Sequence, residues 1–577
     1  MSKELKIGNE AVAMGLYEGG CRVASSYPGT PSTEITECIS KYDDVYSEWA
    51  PNEKVAMEVA VGSAVAGARS FCGMKHVGLN VAADPLFTAS YTGINAGMVI
   101  AVADDPGMHS SQNEQDSRHY ARASKTMMLE PADSSDCLNF AKQAYELSEK
   151  FDTPIFLRLT TRVAHSQSVV ELGERTEVEL KLVDNNPRKY VMTPANAIPK
   201  HITVEKRMSD MKEWAENCDI NTVEYNDTKI GIIASGICYQ YAKEALGDKA
   251  SYLKLGMVNP LPEKLFKDFC AKCDKVYIIE ELDPVIENHC KAIGLDVIGK
   301  ELFPMCGEIT ANMVAEKILG IKPTITEGIA DLPIRPPVMC SGCPHRGMFY
   351  VLKKLGVYVN GDIGCYTLGG AAPLSAMNAT VCMGFSVSGL HGFLKANGQT
   401  DKSVAVIGDS TFVHSGITGL INMAYNRSNG TVIILDNSIT GMTGHQQNPT
   451  TGVTLKGDMT TAIDLEALCR SVGINRVRVV DPQEIDEVEK ILKEELNADE
   501  PSVVISRRPC IMIKKAKINP PFKIDPDKCK KCKSCMKIGC PSLSISKESG
   551  KVEVNQTLCV GCGLCKKLCK FDAIEEQ

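Results

Sequence analysis

Apolar residues fall into a recurring pattern. Short, β-branched runs end at a glycine or a carboxylate and are followed by longer stretches with helical spacing. TKIGIIASG (228–236) leads into CYQYAKEALG (238–247), and KVYIIEE (275–281) follows. SVAVIGD (403–409), TVIILDN (431–437) and SVVISRRP (502–509) repeat the form. In the first part of the chain, GMVIAVADD (97–105) and HVGLNVAA (76–83) read as strands, and KVAMEVAVGSAVAGARS (54–70) reads as a buried helix whose small residues allow close packing. Continuous apolar strands alternating with helices predict parallel sheets covered on both faces. The expected fold class is therefore α/β.

Proline-rich stretches divide the pattern. IKPTITEGIADLPIRPP (321–337) and INPPFKIDPDK (518–528) read as extended connectors, and DNNPRKYVMTP (184–194) is a weaker boundary before a polar, helix-like segment. The divisions predict three doubly wound domains, 1–183, 190–325 and 335–515, and a small cysteine-rich domain over 520–577.

Composition narrows the function classes. The 577 residues carry 63 basic and 71 acidic side chains, a net charge of -8, so no global basic field attracts nucleic acid. The N-terminus lacks the apolar core of a secretory signal, and no apolar run approaches the ~20 residues of a membrane helix. The expectation is a soluble, cytoplasmic protein without nucleic-acid or membrane partners. Cysteine is the anomaly: of 24, eight lie in the last 49 residues. In a reducing compartment such density points to metal or cluster ligation.

The tail reads Cys529-x2-Cys532-x2-Cys535-x4-Cys540-Pro541, then Cys559-x2-Cys562-x2-Cys565-x3-Cys569. Triplets at this spacing suit [4Fe–4S] cubes. Zinc ribbons and disulfides are the competing readings, but zinc usually takes two spaced pairs. The segment resembles the bacterial two-cluster ferredoxins. It departs from them in the fourth residue before Cys540 and in Lys570, which stands where a second proline is usual. The resemblance implies one cube on Cys529, Cys532, Cys535 and Cys569, and another on Cys559, Cys562, Cys565 and Cys540.

A second signal lies between 404 and 444. Gly408-Asp409 ends one strand and Asp436-Asn437 ends the next, and strand C-termini of parallel sheets are where ligands collect. A carboxylate and an amide oxygen suit Mg2+ with substrate phosphates, and a helix beginning near Ser415 would direct its N–H groups at a diphosphate. An ordinary turn with aspartate as helix cap is the bland alternative. The segment resembles the thiamine-diphosphate motif, with Ser410 in place of its last glycine. GDIGCYTLG (361–369), with Gly364 and Cys365, would pass close to the same cofactor.

Asn52-Glu53, ahead of the small-residue helix, resembles the segment that supplies thiamine enzymes with the carboxyl group facing the pyrimidine. Alone, Glu53 complements a helix dipole; Glu58 is the fallback. SSYPGTPSTEI (25–35) resembles the YPxTPS turn of 2-oxoacid ferredoxin oxidoreductases, which would set Thr30 against the substrate carbonyl or carboxylate. With SSQNEQDSRHYA (110–121) and MCSGCPHRG (339–347), the order of segments is similar to the α subunits of that family's indolepyruvate branch. The resemblance implies oxidative decarboxylation of arylpyruvates with CoA as acyl acceptor, ferredoxin as electron acceptor and a smaller β subunit as partner. Pyruvate or branched-chain oxo acids are alternative substrates within the class. A non-redox thiamine lyase or synthase with a structural cluster tail is the alternative outside it.

Four more cysteines, Cys340, Cys343, Cys365 and Cys510, resemble the ligands of the cluster nearest thiamine in related oxidoreductases. Separately placed, they are weaker evidence than a tight triplet, and CxxCxH zinc or free thiols compete, so the sequence leaves a third cluster open. Cys270-x2-Cys273 has no second pair nearby and reads as free thiols. His109, His345, His414 and His445 lie in or near glycine-rich loops and read as hydrogen-bonding residues. Lys528, Lys530, Lys531, Lys533 and Lys537 surround the first tail motif, either as solvated surface or as steering charge for an acidic ferredoxin.

Overall fold

A computed structural model describes residues 2–322, 328, 332, 336–398, 402–513, 516 and 518–576. The chain forms two compact units, 1–328 and 329–577. The connector at 321–337 lies largely outside the described residues.

The first unit holds two large sheets that share a core. Six parallel strands form most of a seven-stranded sheet: Met127–Leu129, Ile155–Thr160, Met98–Asp104, Ser70–Lys75, Val23–Ser26 and Tyr46–Trp49, in that order. Its seventh strand, Met257–Asn259, comes from much later in the chain and pairs antiparallel with Met127–Leu129 across a bulge. The second sheet runs Lys275–Ile279, Ile230–Ser235, Ser251–Leu255 and Thr222–Glu224, parallel except for the last. Along Met98–Asp104 the odd positions Val99, Ala101 and Ala103 enter one core. Met98, Ile100 and Val102 enter another, which also takes Ile233, Leu253 and Ile278 from the second sheet. Both faces being covered is why these strands read as continuous apolar runs.

HVGLNVAA is not a strand. Residues His76–Val81 form a helix, followed by another over Ala83–Thr92. Buried residues recur at His76, Leu79, Ala82, Leu86 and Ala89, spaced by three or four, and that helical period outweighs the local β propensity. The small-residue segment is a helix over Glu53–Val65 that buries Ala56, Met57, Ala60 and Ala64 along one stripe.

Where the C-terminal ends of the two sheets meet, ionised groups replace the apolar core. Arg158 donates to Asp104 (2.7 Å) and Glu130 (2.6 Å), while Arg118 grips Asp116 and reaches Glu280 (2.6 Å). All six are buried. Buried charge is tolerable only when paired and hydrogen-bonded, so these arginines fix one arrangement of the strand ends.

The second unit is built on five parallel strands ordered Tyr358–Asn360, Ser403–Gly408, Thr431–Asp436, Ser502–Arg507 and Arg476–Val480. Val404, Val406, Ile433 and Val504 face one core, and Ala405, Ile407, Val432 and Val503 face the other. The cysteine-rich tail adds two small antiparallel pairs, Phe522–Ile524 with Ile574–Glu576 and Leu543–Ile545 with Val552–Val554. Phe522, Ile538, Leu543 and Leu564 of the tail enter the same core as Val404 and Val504, so this unit holds its cysteines at fixed positions against its sheet. Among the described residues no helix is long and apolar enough to cross a membrane.

The buried charges make stability depend on pH. Burial raises Glu281 to about 7, against the ordinary value of 4.5. The folded state therefore binds this proton more tightly than the unfolded one, and the stability it contributes below about 4.5 is lost as pH rises through about 7. The thermal unfolding midpoint is expected to fall between pH 5 and pH 8, and Glu281→Gln to flatten that slope, as read by calorimetry across the range.

Candidate active site

Candidate residues divide between the units, Thr30 and Glu53 in the first and the remainder in the second. Glu53 opens its helix behind Asn52, whose side chain accepts from Val55 N at 2.9 Å. The Glu53 carboxyl is buried, 5% exposed, and Gly78 lies so close that a Cβ there would stand 2.5 Å from Oε1. A glycine is needed at 78 for this approach. Glu58, by contrast, is exposed and pairs with Lys54.

Thr30 lies in the turn after Val23–Ser26, where its carbonyl accepts from Ser110 Oγ at 3.2 Å. Lys75 joins the two residues. It ends the strand Ser70–Lys75, donates to Ser110 O at 2.9 Å, and runs its stem past Gly29. Burial lowers its pKa to about 8, opposed by the carboxylates of Asp105 and Glu53. Lys75 gives no signal in the sequence beyond a lone cation closing an apolar run.

In the second unit, the C-terminal edge of the sheet collects the loops. Asp409 is buried; its carboxylate accepts from Ser410 N (2.7 Å) and from Ser438 N (3.0 Å), the residue after Asn437. The ends of the two strands therefore meet. The helical run starts at Asp409 itself, not near Ser415. It covers Asp409–Thr411, passes through a π turn at Phe412–Gly416, and continues over Ile417–Tyr425. Burial and the neighbouring Asp436 raise Asp409 to about 7, while Arg507 holds Asp436 at 2.8 Å. A buried carboxylate in this state fits a divalent cation, which would offset its desolvation.

Gly408 and Gly364 both make room for Tyr366, whose ring would lie 2.7 Å and 2.4 Å from a Cβ at those positions. Asp362, which sequence reasoning missed, is buried in the same loop and accepts from the backbone N–H groups of Ile363, Gly384 and Ser386. It thereby anchors the loop bearing Gly364 and Cys365 to the start of the helix Phe385–Ala396. His345 is buried edge-on to Tyr366, and burial lowers it to about 4; His414 pairs with Ser415, and His109 with Glu308. His445 is exposed.

The cysteines form three groups. Cys529, Cys532, Cys535 and Cys569 line one small cavity together with Ile524, Phe571 and Ile574. Burial raises Cys565 to about 12, and Cys562, Cys540, Cys559 and Cys535 add to the rise. The third group was open on sequence grounds. Burial raises Cys343 to about 12 with Cys340 and Cys365 contributing, and Cys365 in turn feels Cys510. Cys365 and Cys510 follow the parallel strands Tyr358–Asn360 and Ser502–Arg507, whose shared edge brings them together. Cys510 also abuts Asn437: its N–H donates to Asn437 O at 2.9 Å, and Asp409 contributes to its raised pKa.

Among the described residues, the metal-capable side chains of Asp116, His119 and Asp283 lie within 4.8 Å of one another. None of the 24 cysteines is paired in a disulfide. Burial raises both Cys270 and Cys273, in keeping with free thiols there.

Three family models match the chain: a pyruvate flavodoxin/ferredoxin oxidoreductase thiamine-diphosphate-binding domain over 14–231, the C-terminal TPP-binding domain of thiamine pyrophosphate enzymes over 362–506, and a 4Fe-4S dicluster domain over 522–570. Together they define an oxidoreductase with thiamine-binding domains and iron–sulfur clusters. Indolepyruvate oxidoreductase subunit IorA of Archaeoglobus fulgidus is 41% identical over 99% of this chain and 97% of its own. Its counterpart in Pyrococcus abyssi is 39% identical over 99% and 96%. The chain belongs to this family of indolepyruvate oxidoreductase IorA subunits. A 2-oxoglutarate:ferredoxin oxidoreductase from Magnetococcus marinus aligns with 18% identity and a TM-score of 0.47; the match covers 55% of this chain and spans 65% of that one.

Gly78→Ala is expected to force Glu53 out of its pocket and to destabilise the first unit by about 1–3 kcal/mol, the usual cost of overpacking. Chemical denaturation of the purified variant against wild type measures it.

Proposed function

We propose that this chain is the catalytic α subunit of a ferredoxin-dependent 2-oxoacid oxidoreductase acting on arylpyruvates. The reaction converts indolepyruvate, CoA and oxidised ferredoxin to indoleacetyl-CoA, CO2 and reduced ferredoxin. One observation carries the reading: the Asp409–Asn437 pair, suited to a cation and diphosphate, adjoins a group of four cysteines. A non-redox lyase has no use for that juxtaposition, whereas an oxidative decarboxylase needs an electron acceptor beside its reacting carbon. The substrate follows from what the relatives are named for. Pyruvate or branched-chain acids remain the alternatives within the class.

Bound thiamine diphosphate supplies the nucleophilic carbon and electron sink through which a 2-oxo acid loses CO2. Asp409 and Asn437 would hold Mg2+, and Gly408 and Ser410 would give the diphosphate close access to the start of the helix. Glu53, shielded from water, would be the carboxyl group facing the pyrimidine ring, and Thr30 would face the substrate's carbonyl or carboxylate. Gly364 and Cys365 line the approach. Clusters held by three cysteine groups would carry electrons outward singly: Cys340, Cys343, Cys365 and Cys510 first, then Cys540, Cys559, Cys562 and Cys565, then Cys529, Cys532, Cys535 and Cys569. Around the last, Lys528, Lys530, Lys531, Lys533 and Lys537 are exposed, a positive collar for an acidic ferredoxin. A smaller β subunit completes the enzyme, and ferredoxin and CoA place it in the cytoplasm.

The decisive experiment is reduction of a low-potential dye by the α chain with its β subunit across a panel of 2-oxo acids plus CoA. Arylpyruvates are expected to give the highest kcat/KM; CO2 release without dye reduction would exclude the redox reading. Asp409→Ala and Asn437→Ala are expected to lose bound thiamine diphosphate while keeping the tail iron, as measured by cofactor and metal analysis.

A further inference from the structure

Between the first and second cysteine groups lies a buried arginine that the mechanism above does not use. Arg346 follows CxxCPH on the helix His345–Leu355 and is 3% exposed. Its guanidinium donates to carbonyls on both sides. Nε donates to Cys340 O at 3.1 Å and Nη2 to Met339 O, both in the loop carrying Cys340 and Cys343. Nη1 donates to Ile538 O at 2.9 Å and Gly539 O at 2.6 Å, just ahead of Cys540. Four hydrogen bonds thus clamp two loops that belong to different cysteine groups.

Carbonyls satisfy the N–H groups and leave the charge uncompensated. Among the described residues, no carboxylate pairs with Arg346. A buried cation without a counterion is costly, and arginine does not shed its proton to escape the cost. Burial lowers its pKa, opposed by the charges of Cys540, Cys343, Cys340 and Cys562, two from each flanking group. The missing counterion is therefore what those cysteines hold: two iron–sulfur cubes with their ligating thiolates, each of net negative charge.

We propose that Arg346 is the shared counter-cation of the two inner clusters and sets both their reduction potentials above what the same ligands would give without it. The inference rests on the reading of Cys340, Cys343, Cys365 and Cys510 as a cluster site. Each transfer removes one electron from the cluster nearer the cation site and adds it to the next, with no ligand or proton exchanged. A reduced cluster carries one more negative charge than an oxidised one, so a fixed cation favours the reduced state of whichever cluster holds the electron. Placed between the two, Arg346 favours both and keeps the step between them nearly level. The outermost group, Cys529, Cys532, Cys535 and Cys569, offers Arg346 no hydrogen-bond acceptor and serves as an internal reference.

The test is a redox titration followed by electron paramagnetic resonance on the αβ enzyme carrying Arg346→Gln or Arg346→Lys, with iron analysis. In Arg346→Gln, both inner clusters are expected to become harder to reduce by tenfold or more in the one-electron equilibrium, a negative shift of at least ~59 mV. The outermost cluster should not move, and Arg346→Lys should titrate close to wild type. Unchanged inner potentials in Arg346→Gln, or an equal shift in Arg346→Lys, would overturn the proposal. If the glutamine variant fails to hold iron, the lysine variant decides. Clusters retained at wild-type potentials there uphold the charge role, and loss of iron in both assigns Arg346 to the fold alone. Iron in the wild-type enzyme separates this failure from that of the underlying reading. About twelve atoms per chain, at four per cube, means three clusters, whereas about eight removes the first cluster and with it the basis of the proposal.

Discussion

Parallel pairing is the constraint on which the rest depends. When neighbouring strands run the same way, every connection returns to the same edge, and all loops leaving the other edge are brought side by side. In the second unit that edge receives Asp362 and Cys365 from one strand end and Asp409, Asn437 and Cys510 from three others. No local rule makes these four strand ends neighbours, yet the sheet leaves them few places to go. In the first unit the same edge carries Lys75, Asp104 and Glu130, and the adjoining sheet contributes Glu280 and Glu281.

Burying so much charge and so many thiols demands compensation from long range. Arg118 and Arg158 satisfy the carboxylates of the first unit. Asp409 keeps a raised pKa and Arg346 an unpaired charge, and each points to a group of opposite sign that the polypeptide does not supply. On the proposed reading, those groups are a divalent cation beside one loop and anionic clusters beside another.

Much of this was legible along the chain, for reasons that differ by element. Strands such as SVAVIGD and TVIILDN were visible because burial on both faces removes polar residues from the run. The tail groups were visible because cube ligation uses cysteines at short, fixed separations. HVGLNVAA misled because its apolar content is ambiguous over eight residues, and only the next turn, through Leu86, exposes the helical period. The helix after Asp409 was placed too late because a strand can pass directly into a helix without an intervening turn. Lys75, Asp362 and Arg346 were beyond reach: each acts on residues brought near by sheet order, and nothing within a few positions of them records that neighbourhood. Cys340, Cys343, Cys365 and Cys510 stood between, suggestive as a set but joined only by the fold.

The seven-stranded sheet has an implication for how the chain is made. Its last strand, Met257–Asn259, arrives some 130 residues after its partner Met127–Leu129, across an intervening segment that begins the second sheet. Until residue 259 has left the ribosome, Met127–Leu129 remains an open edge with unpaired backbone groups, the kind of edge on which chains associate wrongly. The first sheet thus cannot be sealed before much of the second has been synthesised. Although sequence divides the two regions at a proline-rich boundary, biosynthesis couples them, and a fragment ending near residue 183 would expose the very strand that the later segment exists to cover.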